Sequence, residues 1–182
     1  MSHRSLIPGA AVAAALLSAC TPVADPEQAA AEQAAFLVET ERAALRDYFA
    51  DTTSWVSASP RGTFITHHAA DGTAQLWSPA TTRTATSAWR IEHDGGAPDL
   101  CYFYPEGSTN PATDAPGGAW ECSTVDALLA DKTWFEGDPF GLADGVIPFV
   151  LDRGTYEPLI FAPRAGLSPD DLIDLTAERD TE

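Results

Sequence analysis

Ser87-Ala-Trp-Arg-Ile-Glu-His-Asp-Gly-Gly-Ala-Pro-Asp-Leu-Cys-Tyr-Phe-Tyr-Pro105 and, after a polar stretch, Gly117-Gly-Ala-Trp-Glu-Cys-Ser-Thr-Val125 decide the fold. Short runs of aromatic and β-branched residues are separated by Asp-Gly-Gly, Pro and a Gly-Pro-rich stretch. That pattern reads as three β-strands, at 86–93, 99–104 and 119–124. The region carries two of the three cysteines and two of the five tryptophans. The rest of the chain is expected to deliver, flank or cover it.

Upstream of it the period of two continues. Residues 52–57 read as a strand and Pro60-Arg-Gly62 as a turn. Asp71-Gly72 between runs 63–70 and 73–78 is a hairpin signal. A two-residue loop there sets Thr66 opposite Trp77 and His67 opposite Leu76. Turns follow at 79–84 and 94–98. Before the strands, Asp25-Pro26-Glu27-Gln28 reads as a helix start, with Asp25 as N-cap and Pro26 in the first helical position. The helix is expected over 26–50. Its Ala-rich first half is a stalk; Val38, Leu45, Tyr48 and Phe49 in its second half share a face that packs on the sheet.

Downstream, 125–131 reads as a short helix, and Lys132-Thr-Trp-Phe135 opens an irregular region. Residues 146–151 and 156–161 read as two strands around Asp152-Arg-Gly154, pushed toward a sheet edge by their prolines. Ser168 caps a last short helix ending near Arg179, with Leu172 and Leu175 inward. The fold class expected is mainly β. It is an antiparallel sheet or small barrel of about seven to eight strands, with an N-terminal helix and a short C-terminal helix.

The N-terminus has the form of an export signal. Met1-Ser-His-Arg4 is a short basic region, and an apolar, Ala-rich run extends from Leu6 to Leu17. The run is too short for a comfortable membrane span of about 20 residues. It ends in Leu17-Ser18-Ala19-Cys20, which resembles the lipobox of bacterial lipoproteins. The resemblance implies acylation of Cys20, anchoring to an envelope membrane and a periplasmic domain. Thr21 is not the Asp that marks inner-membrane retention, so the outer membrane is the expected address. The domain layout is then a signal peptide over 1–19, a lipidated tether over 20–25, the N-terminal helix over 26–50 and a single β-rich domain over 51–182.

The mature chain of about 160 residues is long enough for one sizeable core. Two cysteines remain in an oxidising compartment, so Cys101 and Cys122 are expected to form one disulfide. Setting them opposite each other in antiparallel strands puts Phe103 opposite Trp120 on the same face. The mature chain has nine basic and 27 acidic residues, a net charge of −18. This argues against nucleic acid and against electrostatic binding to anionic lipid. It leaves a basic protein or a cation as partner, or no partner at all.

Leu45-Arg-Asp-Tyr-Phe49, Gly62-Thr63, Ala70-Asp71-Gly72, Trp89-Arg-Ile-Glu92 and Leu100-Cys-Tyr102 together resemble a loosely defined set of small exported bacterial domains of unknown function. The resemblance covers roughly residues 44–123. The chain departs from that pattern at Ser87, where the set has Gly. The resemblance implies fold and compartment, and no activity comes with it.

No H-E-x-x-H, G-x-S-x-G, P-loop or G-x-G-x-x-G occurs. His67 and His68 are adjacent in a strand and point to opposite faces, so they cannot chelate one ion together. His68 and His93 could converge across strands with Asp71 or Glu92, although a surface or hydrogen-bonded histidine is the simpler reading. Asp138 and Asp144, six residues apart, do not match calcium-loop spacing and read as a structural loop. The five tryptophans read as core; an exposed Trp77 or Trp134 beside acids would mark a binding face. The long 105–118 loop, with Asn110 and Asp114, is the candidate recognition loop, or else a tolerated insertion. No metal or cofactor is expected. The chain reads as a non-catalytic lipoprotein that acts through binding or envelope assembly. The alternatives are an antagonist of a basic protein, in the manner of lysozyme inhibitors, and a carrier of a small apolar ligand in a lipocalin-like barrel.

Overall fold

The structure is a computed structural model, and it describes residues 26–58 and 61–175. The signal segment, Cys20, the tether, the Asp25 cap, Pro60 and the tail around Arg179 lie outside the described residues. Helix α1 (Pro26–Phe49) leads into seven strands: β1 (Thr52–Ala58), β2 (Gly62–His68), β3 (Thr73–Trp77), β4 (Ala85–Glu92), β5 (Asp99–Phe103), β6 (Trp120–Thr124) and β7 (Thr133–Glu136). Helix α2 (Val125–Asp131) joins β6 to β7, and a one-turn helix α3 (Pro158–Phe161) follows. The strands form one antiparallel sheet in the order β6-β5-β4-β3-β2-β1-β7, curled into a half-barrel. No described helix is long and apolar enough to cross a membrane.

The sheet is covered on both faces at β7, β1, β2 and β3, while β4 and β6 leave the disulfide side exposed at Thr86, Ala88, Arg90 and Cys122. The alternation of side chains assigns each residue to one face. One face carries Trp55, Ile65, Trp77 and Phe135, covered by Phe140, Leu142, Leu151 and Phe161 from the C-terminal third. We call it the C-terminal face. The other carries Ala74, Trp89, Ile91, Leu100 and Trp134, covered by Phe49 of α1 and Val125 of α2. It continues into a second apolar group of Phe64, Leu76 and Tyr104. We call it the helical face. Strand β2 is buried on both sides along its whole length.

The three strands of the deciding stretch form where expected, and Cys101 and Cys122 are disulfide-bonded. Cys101 pairs with Cys122 and Phe103 with Trp120. The Phe103 and Trp120 rings lie 5.4 Å apart, and the Arg90 guanidinium stacks 3.8 Å from the Trp120 centroid.

The register of the β2–β3 hairpin differs from the expected one. Ile65 pairs with Trp77, Thr66 with Leu76 and His67 with Gln75. The loop has three residues, not two: Ala69 and Thr73 close it, with the Thr73 carbonyl accepting from the Ala69 amide at 2.9 Å. Gly72 takes φ +91°, the left-handed residue that a three-residue loop requires. An odd shift flips side chains between faces, and here it places Ile65 and Trp77 together in one core.

The C-terminal third holds no strand pair at 146–151 and 156–161. Residues 146–151 cross the C-terminal face with a bend at Pro148 and Phe149, where the Phe149 carbonyl accepts from Trp77 Nε1 at 3.1 Å and the Leu151 carbonyl from the Ala80 amide at 2.9 Å. Pro148 removes a ladder donor, and the apolar side chains cover the sheet face instead of extending its edge. Pro158 starts α3, the position a proline suits in a helix. The Thr133–Glu136 segment, expected to be irregular, is strand β7, paired with β1 from Thr52 to Trp55. The Ser168 cap forms as expected, but on a single 3-10 turn, Pro169–Asp171, followed by a bridge from Asp174 to Phe135. Leu172 is buried and Leu175 half-buried.

Candidate functional site

The site lies on the helical face, beyond the apolar group around Trp134. Alternation on β5 and β6 puts Tyr102, Tyr104, Glu121 and Ser123 on this face, opposite to the disulfide, with Tyr102 paired to Glu121. They and residues of β1–β3 form the floor of a 240 Å³ cavity: Val56, Phe64, Thr66 and Leu76. The 105–118 loop supplies one wall through Asn110, Ala112 and Thr113. Leu128 of α2 and Lys132, the residue after it, close the remaining side.

The loop is built inward. Asn110 is 6% exposed. Its Nδ2 donates to both Glu121 carboxylate oxygens at 3.2 Å, and Thr113 Oγ1 donates to Oε2 at 2.8 Å. Asn110 Oδ1 accepts from the Ala112 amide at 2.9 Å, an Asx turn that fixes the loop. Asp114 points the other way: its side chain is exposed and pairs with Arg61 at 3.5 Å. Of the two recognition-loop candidates, Asn110 thus lines the cavity and Asp114 lies at the surface.

Lys132 follows α2 in an extended conformation, φ −125° and ψ 147°. Its ammonium lies 5.9 Å from the ring centroids of both Tyr102 and Trp134, within cation–π range. Burial lowers its pKa to about 8, partly opposed by the neighbouring Asp131 carboxylate. Burial also pushes the Tyr104 hydroxyl up to about 12 and the Tyr102 hydroxyl higher still, so both stay protonated.

Beneath the cavity is a hydrogen-bonded chain. Tyr102 Oη and His68 Nε2 are 2.6 Å apart, and His68 Nδ1 is 3.4 Å from the Thr52 carbonyl. The carbonyl only accepts, so Nδ1 carries the proton and Nε2 accepts from Tyr102. His68 is fully buried against Trp89, Tyr102 and Trp134. Burial first, and then the Lys132 charge, lower its pKa to about 3. It remains neutral in the folded protein, and this has a sign. Between its unfolded pKa near 6.5 and about 3, the unfolded chain binds a proton that the folded one does not. Stability is therefore lost on acidification, at about 1.4 kcal/mol per pH unit from this residue. Urea unfolding should show about half that slope between pH 7 and 6 and nearly all of it between pH 6 and 5 in the native protein. It should be largely removed in His68→Gln, which keeps both hydrogen bonds without titrating. The same slope in both proteins would assign it elsewhere.

The other expected site residues separate. His67 lies on the C-terminal face, 3.4 Å from Thr53 Oγ1. His93 does not converge with His68: it pairs with Glu41 of α1 at 3.0 Å. Asp71 binds the Thr73 amide within its own turn. Among the described residues one group is close enough to hold an ion, Glu92 with Cys101 and Cys122, and the disulfide consumes both thiolates. Asp138 caps the turn at Leu142–Asp144, accepting from the Leu142 and Ala143 amides at 2.8 Å, a structural loop. Trp55, Trp77, Trp89 and Trp134 are buried, so Trp77 and Trp134 do not form an exposed binding face.

Sequence reasoning did not single out Lys132, Tyr102, Tyr104, Thr66 or Glu121. A signal was present. The Cys101–Cys122 register alone puts Tyr102 beside Glu121 on the opposite face, and Lys132 is the one lysine in the chain. A broader groove of 650 Å³ lies outside, along β1 beyond its pairing with β7, between α2 and the start of α3. Comparison with known proteins found no matching family model, no matching curated protein and no matching solved structure.

Proposed function

We propose that the protein is a lipid-anchored binding module of the bacterial envelope that takes a small molecule into the cavity on the helical face. One observation carries the binding reading: apolar walls and convergent polar side chains meet in a single cavity, the usual make-up of a ligand site. The basic start, the apolar run and the lipobox-like Leu17-Ser18-Ala19-Cys20 support attachment through Cys20, at the periplasmic face and by sorting residue at the outer membrane. We assign it no reaction.

The antagonist alternative draws on the net charge of −18 and on the exposed Asp114. The inward anchoring of the 105–118 loop on Glu121 supports a cavity wall better than a free inhibitory loop. The lipocalin-like carrier has less support: the edge strands β6 and β7 do not pair, and the cavity walls are partly polar.

A thermal-shift screen of small molecules against the detergent-purified lipoprotein tests the binding reading. Ser123→Trp, at the cavity rim, is the control. A ligand at 100 times its Kd is expected to raise Tm by about 5–10 °C in the native protein and not in the variant. A shift of equal size in Ser123→Trp would move binding elsewhere, and no hit in a broad screen would remove the reading. Anchoring is tested separately, by metabolic acyl labelling that Cys20→Ala should abolish.

A further inference from the structure

We propose that the cavity binds a small organic carboxylate, with its head on the Lys132 ammonium and its body between Phe64, Leu76 and the Tyr102 ring. This deepens the binding-module reading above and rests on it.

The argument starts from where the charge is placed. A lysine ordinarily runs its ammonium out to water, and the chain has one lysine only. Here it is half-buried between the cavity and the outer groove, beside two aromatic rings. Among the described residues no carboxylate lies within ion-pair distance of it. The acid that shares the cavity, Glu121, is engaged on both oxygens by Asn110 and Thr113. The cavity therefore presents a cation with three donors and no anionic partner, and an anion already bound. A half-buried charge with no carboxylate in contact, only the more distant field of Asp131, is costly. A carboxylate supplied by a ligand removes that cost and forms a charge-assisted hydrogen bond.

The other walls set the rest of the ligand. Thr66 is buried, and among the described residues its hydroxyl makes no hydrogen bond; it faces the same cavity as Lys132 and suits the second carboxylate oxygen. Val56, Phe64, Leu76 and Leu128 are apolar and suit a hydrocarbon body. At 240 Å³ the space falls below the range of about 300–1,000 Å³ that holds drug-sized ligands, so the body is small. The lowered pKa of Lys132 adds a signature: a bound carboxylate favours the ammonium, so binding near pH 8 takes up protons. The acidic surface adds another. Its field repels an approaching anion over about a Debye length, so moderate salt should speed association and leave the enclosed contact less affected.

Benzoate and its neutral isostere benzamide are the probes, titrated calorimetrically into the detergent-purified full-length lipoprotein and its Lys132→Met variant. Benzoate is expected to bind about tenfold or more tightly than benzamide, because only the acid completes the ion pair. At pH 8 its binding heat should differ between phosphate and Tris buffers in the sense of proton uptake. Lys132→Met should erase the preference without lowering Tm, since it removes a charge that has no partner. Circular dichroism confirms that the variant is folded. Thr66→Val is the second variant, expected to weaken benzoate while retaining part of the preference. Equal affinity for the two probes, or a preference that persists in Lys132→Met, overturns the carboxylate assignment and leaves the cavity-binding reading standing. Binding of neither probe also overturns it, and the library screen above then decides whether the cavity binds anything.

Discussion

Replacing Trp134 with alanine is expected to destabilise the protein by about 3–5 kcal/mol, the range for truncating a buried tryptophan. Trp134 is fully buried on a strand of only four residues. Its ring lies 4.9 Å from Phe49 of α1 and 5.3 Å from His68 of β2, and its Nε1 donates to the Leu128 carbonyl of α2 at 3.4 Å. One side chain thus joins both helices to the sheet. Trp120→Ala is the matched control. That ring is half-buried against Phe103 and Arg90, at the far edge of the sheet. Its loss should cost about 1 kcal/mol, the scale of an exposed aromatic and cation–π pair. Urea unfolding measures both. A Trp134→Ala cost no larger than that of Trp120→Ala would contradict the view that Trp134 joins the layers.

Most of the architecture was legible because one face at a time was enough to read it. Strand β4 alternates cleanly, and the turns of the β4–β6 stretch are marked by Asp94-Gly-Gly and by the proline-rich loop. Strand β7 was not legible, since Thr-Trp-Phe-Glu does not alternate. Trp134 faces the helices and Phe135 the C-terminal wrap, so burial on both sides erases the period of two. The 146–151 run failed in the opposite sense. It has strand composition, but it crosses a face instead of joining an edge, and sequence period does not tell the two apart. The β2–β3 register turned on one residue of loop length. Matching Ile65 to Trp77, apolar to apolar, would have selected the observed pairing.

The cavity was harder to read because its residues come from distant parts of the chain. The 105–118 loop and its Asn110 stand out in the sequence, but a loop of that composition reads as surface. The decisive interaction is Asn110 with Glu121 across the loop's base, which requires knowing that Glu121 points away from the disulfide. Lys132 was hidden for a different reason. A lone lysine after a helix resembles an ordinary C-terminal charge, and only the packing of α2 over the sheet directs it inward.

Reduction of the Cys101–Cys122 disulfide is expected to lower stability by about 3 kcal/mol, the loop-closure contribution for its sequence separation of 21. The effect should also be local. Strand β6 is an edge, and its one sheet neighbour is β5. The disulfide sits at the centre of that pairing, and on the opposite face the same two strands present Tyr102 and Glu121 to the cavity. Without the cross-link, β6 is held by its residue pairs with β5, the Phe103 and Arg90 contacts of Trp120, the Glu121 hydrogen bonds to the loop and the start of α2. Local opening then becomes easier than global unfolding. In a Cys101→Ser/Cys122→Ser protein, amide exchange should therefore accelerate most in β6 and the 105–118 loop, less in β5 and least in β2, which is buried throughout. Urea unfolding gives the global loss and hydrogen exchange its distribution. Uniform acceleration across the sheet would mean that the disulfide acts on the unfolded chain alone. Acceleration confined to β6 and the loop would mean that it also holds the cavity wall in place, and probe binding in the cavity should then weaken together with β6 protection.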